Sequence, residues 1–185
     1  MRMLKIVKDT AKSLHSRCAP VEDPRSPEIK ATLDEMTKYL KDSQDPAFRE
    51  KNPSVREGVG LAAPQVGINK RMLVIYYPSG EEDGHFIQYQ LVNPLIVSQS
   101  VRQCYLASGE GCLSVDEEHP GYAYRAYKVT VKAYDAFRGE DIEIKAFGFD
   151  AIVLQHEIDH LNGILFYDRI DKRNPFKEIP DAVAI

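Results

Sequence analysis

Apolar positions recur at helical spacing in two places. Ile29, Leu33, Met36 and Leu40 mark an amphipathic helix ending near residue 43. Ser26-Pro27-Glu28 supplies its start: a capping hydroxyl, a proline at the first helical position and an acid in the first turn. The second stretch, residues 150–162, holds no Pro or Gly, and Gly163 follows as a stop. At about 100° per residue, Phe149, Ile152, Val153, His156, Glu157 and His160 fall on one stripe. Ala151, Leu154, Ile158 and Leu161 fall roughly opposite, with Gln155, Asp159 and Asn162 on a polar strip between them. A helix apolar on two sides is buried within its domain.

Elsewhere the pattern has the period of strands. Residues 128–134 and 141–147 alternate cleanly and are joined by a short turn with Gly139, which predicts an antiparallel hairpin. Residues 71–77 read as a buried strand closed by the turn Pro78-Ser79-Gly80. Residues 86–97 read as one or two strands, interrupted at Asn93-Pro94, and residues 99–107 as a weaker one. Residues 43–57, with Pro46 and Pro53, read as a loop, and Pro120-Gly121 as a turn. Residues 1–24 look irregular apart from the apolar stretch 4–7. Residues 164–167 suggest a short extended piece, and the apolar tail 181–185 an edge strand. There is no internal repeat or linker. The sum is one α+β domain over residues 1–185, mostly antiparallel sheets packed around a central helix, with one N-terminal amphipathic helix.

Composition narrows the function. A chain of 185 residues is long enough for one sizeable core. A net charge of −4 leaves no basic footprint, so nucleic acid is not an expected partner. No apolar run approaches a membrane span, and the first residues lack the apolar core of a secretory signal. Cys18, Cys104 and Cys112 are odd in number and scattered, which suits a reducing cytoplasm.

The chemistry sits on the second helix. His156-Glu157-Ile158-Asp159-His160 is an H-E-x-x-H pentapeptide. On a helix, its two imidazoles stand one turn apart and can grip one metal ion, with the glutamate beside them to handle a proton of a bound water. A catalytic site of this kind uses three protein ligands. A histidine six residues after His160 would complete the metzincin pattern, but Phe166 occupies that position and cannot bind a metal. Asp168, Asp171 and Cys112 remain as candidates for the third ligand. Cys112, in the loop Ser108-Gly109-Glu110-Gly111-Cys112-Leu113-Ser114, offers a thiolate, the better ligand for a soft or borderline ion. A segment with glycines at 58 and 60 permits close approach of another backbone. Pro64 should end any regular element at Ala63, and Gln65 taken alone reads as a surface glutamine.

Three segments together carry a resemblance. Gly58-Val59-Gly60-Leu61-Ala62-Ala63-Pro64-Gln65, Glu110-Gly111-Cys112-Leu113-Ser114 and Gln155-His156-Glu157-Ile158-Asp159-His160 resemble the three signature motifs of peptide deformylase, in that order. The similarity spans roughly residues 57–170. The long loop before the first motif and the apolar, non-helical tail resemble the type 2 subgroup of Gram-positive bacteria. The chain departs from the family around residues 15–20, a poor copy of an H-P-x-L-R stretch, and at Phe149, where tyrosine is common.

The resemblance implies removal of the N-formyl group from the initiator methionine of new polypeptides, with release of formate. Its metal ligands fall on Cys112, His156 and His160, with water as the fourth. It implies one divalent ion per chain, ferrous iron (Fe2+) by expectation, with Zn2+, Ni2+ or Co2+ as alternatives. Glu157 is then the general base and acid, while the Leu113 N–H and the Gln65 amide hold the oxyanion. Gly58, Val59 and Gly60 would pair with the substrate backbone as an added strand, and Phe149, Ile152 and Val153 would wall the methionine pocket. The expected partners are N-formyl-methionyl nascent chains at the ribosome, met by a cytoplasmic monomer.

Overall fold

The computed structural model describes residues 4–80 and 84–185. Helix α1 (Pro27–Gln44) starts at Ser26, whose hydroxyl accepts from Ile29 N at 3.3 Å. A short helix, α2 (Pro46–Lys51), follows. Strands β1 (Gly60–Ala62), β2 (Met72–Pro78), β3 (Phe86–Gln99), β4 (Gln103–Tyr105), β5 (Arg125–Ala126), β6 (Lys128–Asp135) and β7 (Glu140–Phe147) lead into helix α3 (Gly148–Leu161). Strand β8 (Val183–Ala184) closes the chain.

A five-stranded antiparallel sheet in the order β1-β2-β3-β6-β7 forms the body, beside a three-stranded sheet in the order β5-β4-β8. Strand β2 shows why a continuous apolar run is needed at the centre. Its Leu73, Ile75 and Tyr77 pack toward α3, with Val153, Leu154 and Ile158. Its Met72 and Val74 pack on the other face, against Leu33, Met36 and Leu40 of α1. Helix α3 is thus enclosed, with Ala151, Leu154, Ile158 and Leu161 buried on one side and the site on the other. The α+β architecture, the mostly antiparallel sheet and the central helix agree with the sequence reading. Among the described residues, β4 and β8 are the one parallel pair of strands, where the apolar tail docks as an edge strand.

Several local expectations are corrected. Residues 43–57 are not all loop: Asp45 caps α2 by accepting from Ala47 N at 2.9 Å, and Pro46 takes its first position. Strand β3 is not cut at Asn93-Pro94. Asn93 adopts φ +52° and the register shifts between Val92 and Leu95, a bulge that lets the strand run on. Pro64 does end β1, but it opens a 3-10 turn (Ala63–Val66). Residues 164–167 are extended only at their start: Leu165 has extended backbone, and a 3-10 turn (Phe166–Arg169) then forms as the Asp168 carboxylate accepts from Leu165 N at 2.9 Å. The mostly irregular N-terminal segment carries one 3-10 turn (Lys12–His15). Its atypical residues 15–20 still brace α3, with Cys18 N donating to the Leu161 carbonyl at 2.9 Å.

Candidate metal centre

Helix α3 places His156 and His160 one turn apart, and the loop after β4 brings Cys112 across from them. The Cys112 Sγ and one ring nitrogen of each histidine all lie within 4.8 Å of one another. Cys112 Sγ is 3.3 Å from His160 Nε2. The set is a thiol and two imidazoles, the donor chemistry of zinc-type and ferrous sites. Among the described residues this is the one group of three or more such side chains placed to hold an ion. Neither Asp168 nor Asp171 falls in this group; Asp168 accepts from Leu165 N, and Asp171 from Arg173 N and Asn174 N.

The histidines are held by opposite means. His156 Nδ1 meets Glu110 Oε2 at 3.1 Å, the carboxylate–imidazole arrangement that fixes a ligand ring. Burial works against charge on His156, but its hydrogen bonds to Cys112 and Glu110 outweigh that and raise the ring to about 10, so an ion that takes this ring must displace a proton from it. His160 is pushed well below the ordinary value by burial and by the charge of His156, so its ring is neutral, as ligation requires. Its Nδ1 has no partner among the described residues.

Behind them runs a buried ion network. Arg125 donates to both oxygens of Glu110, at 2.6 and 2.8 Å, and to Asp159 Oδ2 at 2.8 Å. Arg169 closes the chain on Asp159 at 2.5 and 2.6 Å. Burial opposes ionisation of Glu110, yet the Arg125 fork and His156 bring it down to about 2. The same carboxylates raise the already high Arg125 value, so this buried guanidinium is permanently charged.

Glu157 faces the other way, toward β1. A Cβ on Gly60 would fall 2.6 Å from the Glu157 Cδ, so only glycine leaves room for this carboxyl against the strand. Desolvation pushes Glu157 up to about 7, only partly offset by His156 and Arg125. Its Oε2 is buried without a partner among the described residues. A carboxyl poised near neutrality with a free oxygen can exchange protons with a water beside the three donor atoms.

Gln65 is 1% exposed, so the surface reading is corrected. Its Oε1 accepts from Ala62 N at 2.8 Å, which turns Nε2 toward Cys112 Sγ at 3.4 Å and Ser114 Oγ at 3.3 Å. All residues singled out from the sequence for catalysis or substrate contact line one cleft of about 270 Å³, together with Cys112 and His156. His160 lies just behind, 1% exposed. Leu106 and Arg56 also line the cleft and were not singled out.

Comparison with known proteins fits this geometry. The sequence pattern of the polypeptide deformylase family matches residues 3–176. The chain belongs to the polypeptide deformylase family. The peptide deformylase 2 of Bacillus subtilis is 50% identical over 183 residues, 99% of this chain and 97% of that protein. The Macrococcus caseolyticus peptide deformylase is 46% identical over 185 residues, 100% of this chain and 99% of that one. A Met-Ala-Ser-bound crystal structure of the class I type b peptide deformylase of Acinetobacter baumannii superposes with a TM-score of 0.70 at 35% identity, covering 91% of this chain and 99% of that one.

The chain is therefore a deformylase of the Gram-positive type. It is a metal-dependent hydrolase that removes the N-formyl group from nascent polypeptides, and its Cys/His/His group supports a single metal ion. Among the described residues, no helix of this deformylase is long and apolar enough to cross a membrane.

Proposed function

We propose that the deformylase holds its ion through Cys112 Sγ and the Nε2 atoms of His156 and His160, and that the ion is ferrous iron. The donor set fits: a soft thiolate, a neutral imidazole and a second imidazole oriented by a carboxylate. Bound there, the ion supplies a Lewis acid and lowers the pKa of water.

The chain's own residues do the rest. Glu157 takes a proton from the attacking water through its free Oε2, then delivers it to the leaving amine. The Leu113 N–H and Gln65 Nε2 hold the oxygen of the formyl group as charge develops on it. The backbone of Gly58, Val59 and Gly60 continues the free edge of β1 and pairs with the peptide as an added strand. Phe149, Ile152 and Val153 wall the methionine side chain. The Met-Ala-Ser ligand of the Acinetobacter structure has the composition of a deformylated product, which supports this use of the cleft. We read the protein as a cytoplasmic monomer, one catalytic domain over residues 1–185, acting on chains emerging from the ribosome.

The observation that carries this reading is the unpartnered Glu157 oxygen beside three convergent donor atoms, inside one cleft. Its test is formate release from formyl-Met-Ala-Ser by anaerobically purified protein, with metal analysis of the same sample. Activity that tracks iron content supports the ferrous assignment; activity independent of iron content contradicts it.

A further inference from the structure

Arg56 lines the cleft, yet the chemistry above gives it nothing to do. Its Nη2 lies 3.0 Å from the carbonyl oxygen of Cys112, 2.8 Å from that of Leu113 and 3.0 Å from that of Val115. The counter-ion Asp116 is 3.2 Å away and is itself held by Lys8 at 2.7 Å. One guanidinium thus gathers three carbonyls of the loop that begins at the metal-binding thiol.

The Cys112 carbonyl and the Leu113 N–H are the two ends of one peptide unit. In a planar trans unit they point in opposite directions and turn together, so fixing the oxygen fixes the N–H. Val115 N also donates to the Cys112 carbonyl, at 3.1 Å, so that oxygen is gripped twice. The Leu113 N–H itself makes no hydrogen bond to any described residue. A cation on the carbonyl also polarises the amide and strengthens its N–H as a donor.

We propose that Arg56 is a positioning residue for the oxyanion site: it grips the carbonyl of the peptide joining Cys112 to Leu113 and thereby aims that unit's N–H into the cleft. This rests on the reading of the Leu113 N–H as an oxyanion donor. Arg56 acts through Leu113 and not on the peptide, so its loss falls on the step where charge develops.

The test uses the full chain at full zinc occupancy, as wild type, Arg56→Met and Arg56→Lys. The Leu113 amide signal is followed by NMR during titration with sodium formate, whose oxygens stand in for the oxyanion. In the wild type the Leu113 amide proton moves downfield; if it stays still, the oxyanion reading fails and the proposal with it. In Arg56→Met the formate-induced shift shrinks, and kcat on formyl-Met-Ala-Ser falls about 10- to 100-fold, as expected for a misaimed oxyanion donor. KM stays within about twofold, because ground-state binding is untouched. Arg56→Lys keeps the charge but reaches fewer carbonyls, so it gives an intermediate loss in kcat and serves should the methionine variant not fold. An unchanged Leu113 shift in the variants overturns the proposal. So does a raised KM with kcat retained, which would make Arg56 a contact for the substrate itself.

Discussion

Glu157 and His156 are neighbours on one helix, yet the proposed mechanism gives their carboxyl and ring different work, and substitution can separate them. Glu157→Gln keeps the volume and leaves the donor atoms alone. The variant is expected to bind about one ion per chain and to lose ~10²–10⁴ in kcat, the usual contribution of a general base. Metal analysis alongside steady-state kinetics checks this; near-normal kcat would contradict it. The cysteines separate in the same way. Cys112 points at His160, whereas Cys18 and Cys104 are buried elsewhere, with burial raising both thiols, Cys104 to about 11. Cys112→Ala should therefore lose the ion, while Cys18→Ala and Cys104→Ala retain it. Equal metal content in all three would refute the assignment. At this scale the placing of His156, Glu157 and His160 together on one helix was legible from the spacing of the H-E-x-x-H motif. Gln65 was legible only through the family resemblance, because no local pattern tells a buried amide tied to Ala62 N from an exposed one. Glu110 was not legible as the partner of His156: they are 46 residues apart in sequence, and only folding joins them.

Elements were legible in proportion to their periodicity. The hairpin of β6 and β7 alternates along its length, and α1 carries both a stripe and a cap, so each falls close to its expected place. Helix α2 has the same cap-plus-proline start at Asp45-Pro46, but none of its residues is buried, so it has no stripe to reveal it. Strand β3 hid its continuity behind Asn93-Pro94 because a bulge absorbs what would otherwise be a break. The end of α3 was clear from Gly163, and the structure adds a reason for it. Gly163 sits at φ +73°, and a Cβ there would lie 2.8 Å from the His15 backbone carbon. Gly163→Ala combines left-handed strain with a backbone clash and should destabilise by about 2 kcal/mol. A loss well under 1 kcal/mol in urea unfolding would show that the N-terminal segment yields freely.

Across the whole molecule, the three-stranded sheet, the central helix and the loop of Cys112 meet at one buried charge network, which no periodicity announces. Arg125 on β5 links Glu110 beside the thiol to Asp159 on α3. Arg125→Met removes the charge but approximates the volume, leaving Glu110 buried with His156 as its remaining partner. Breaking such a pair from one side costs about 3–5 kcal/mol, so a large drop in the urea midpoint is expected. A change under about 1 kcal/mol would mean that water or a rearranged side chain replaces the guanidinium. The central claim is that this assembly delivers a formyl group, and no internal amide, to Glu157 and the oxyanion donors. Its most direct test is the mass of the products after metal-loaded protein meets formyl-Met-Ala-Ser, with the Glu157→Gln protein alongside. The expected result is formate and intact Met-Ala-Ser from the wild type, and substrate left almost untouched by the variant. A peptide shortened at an internal bond, or equal turnover by the two proteins, would contradict the account.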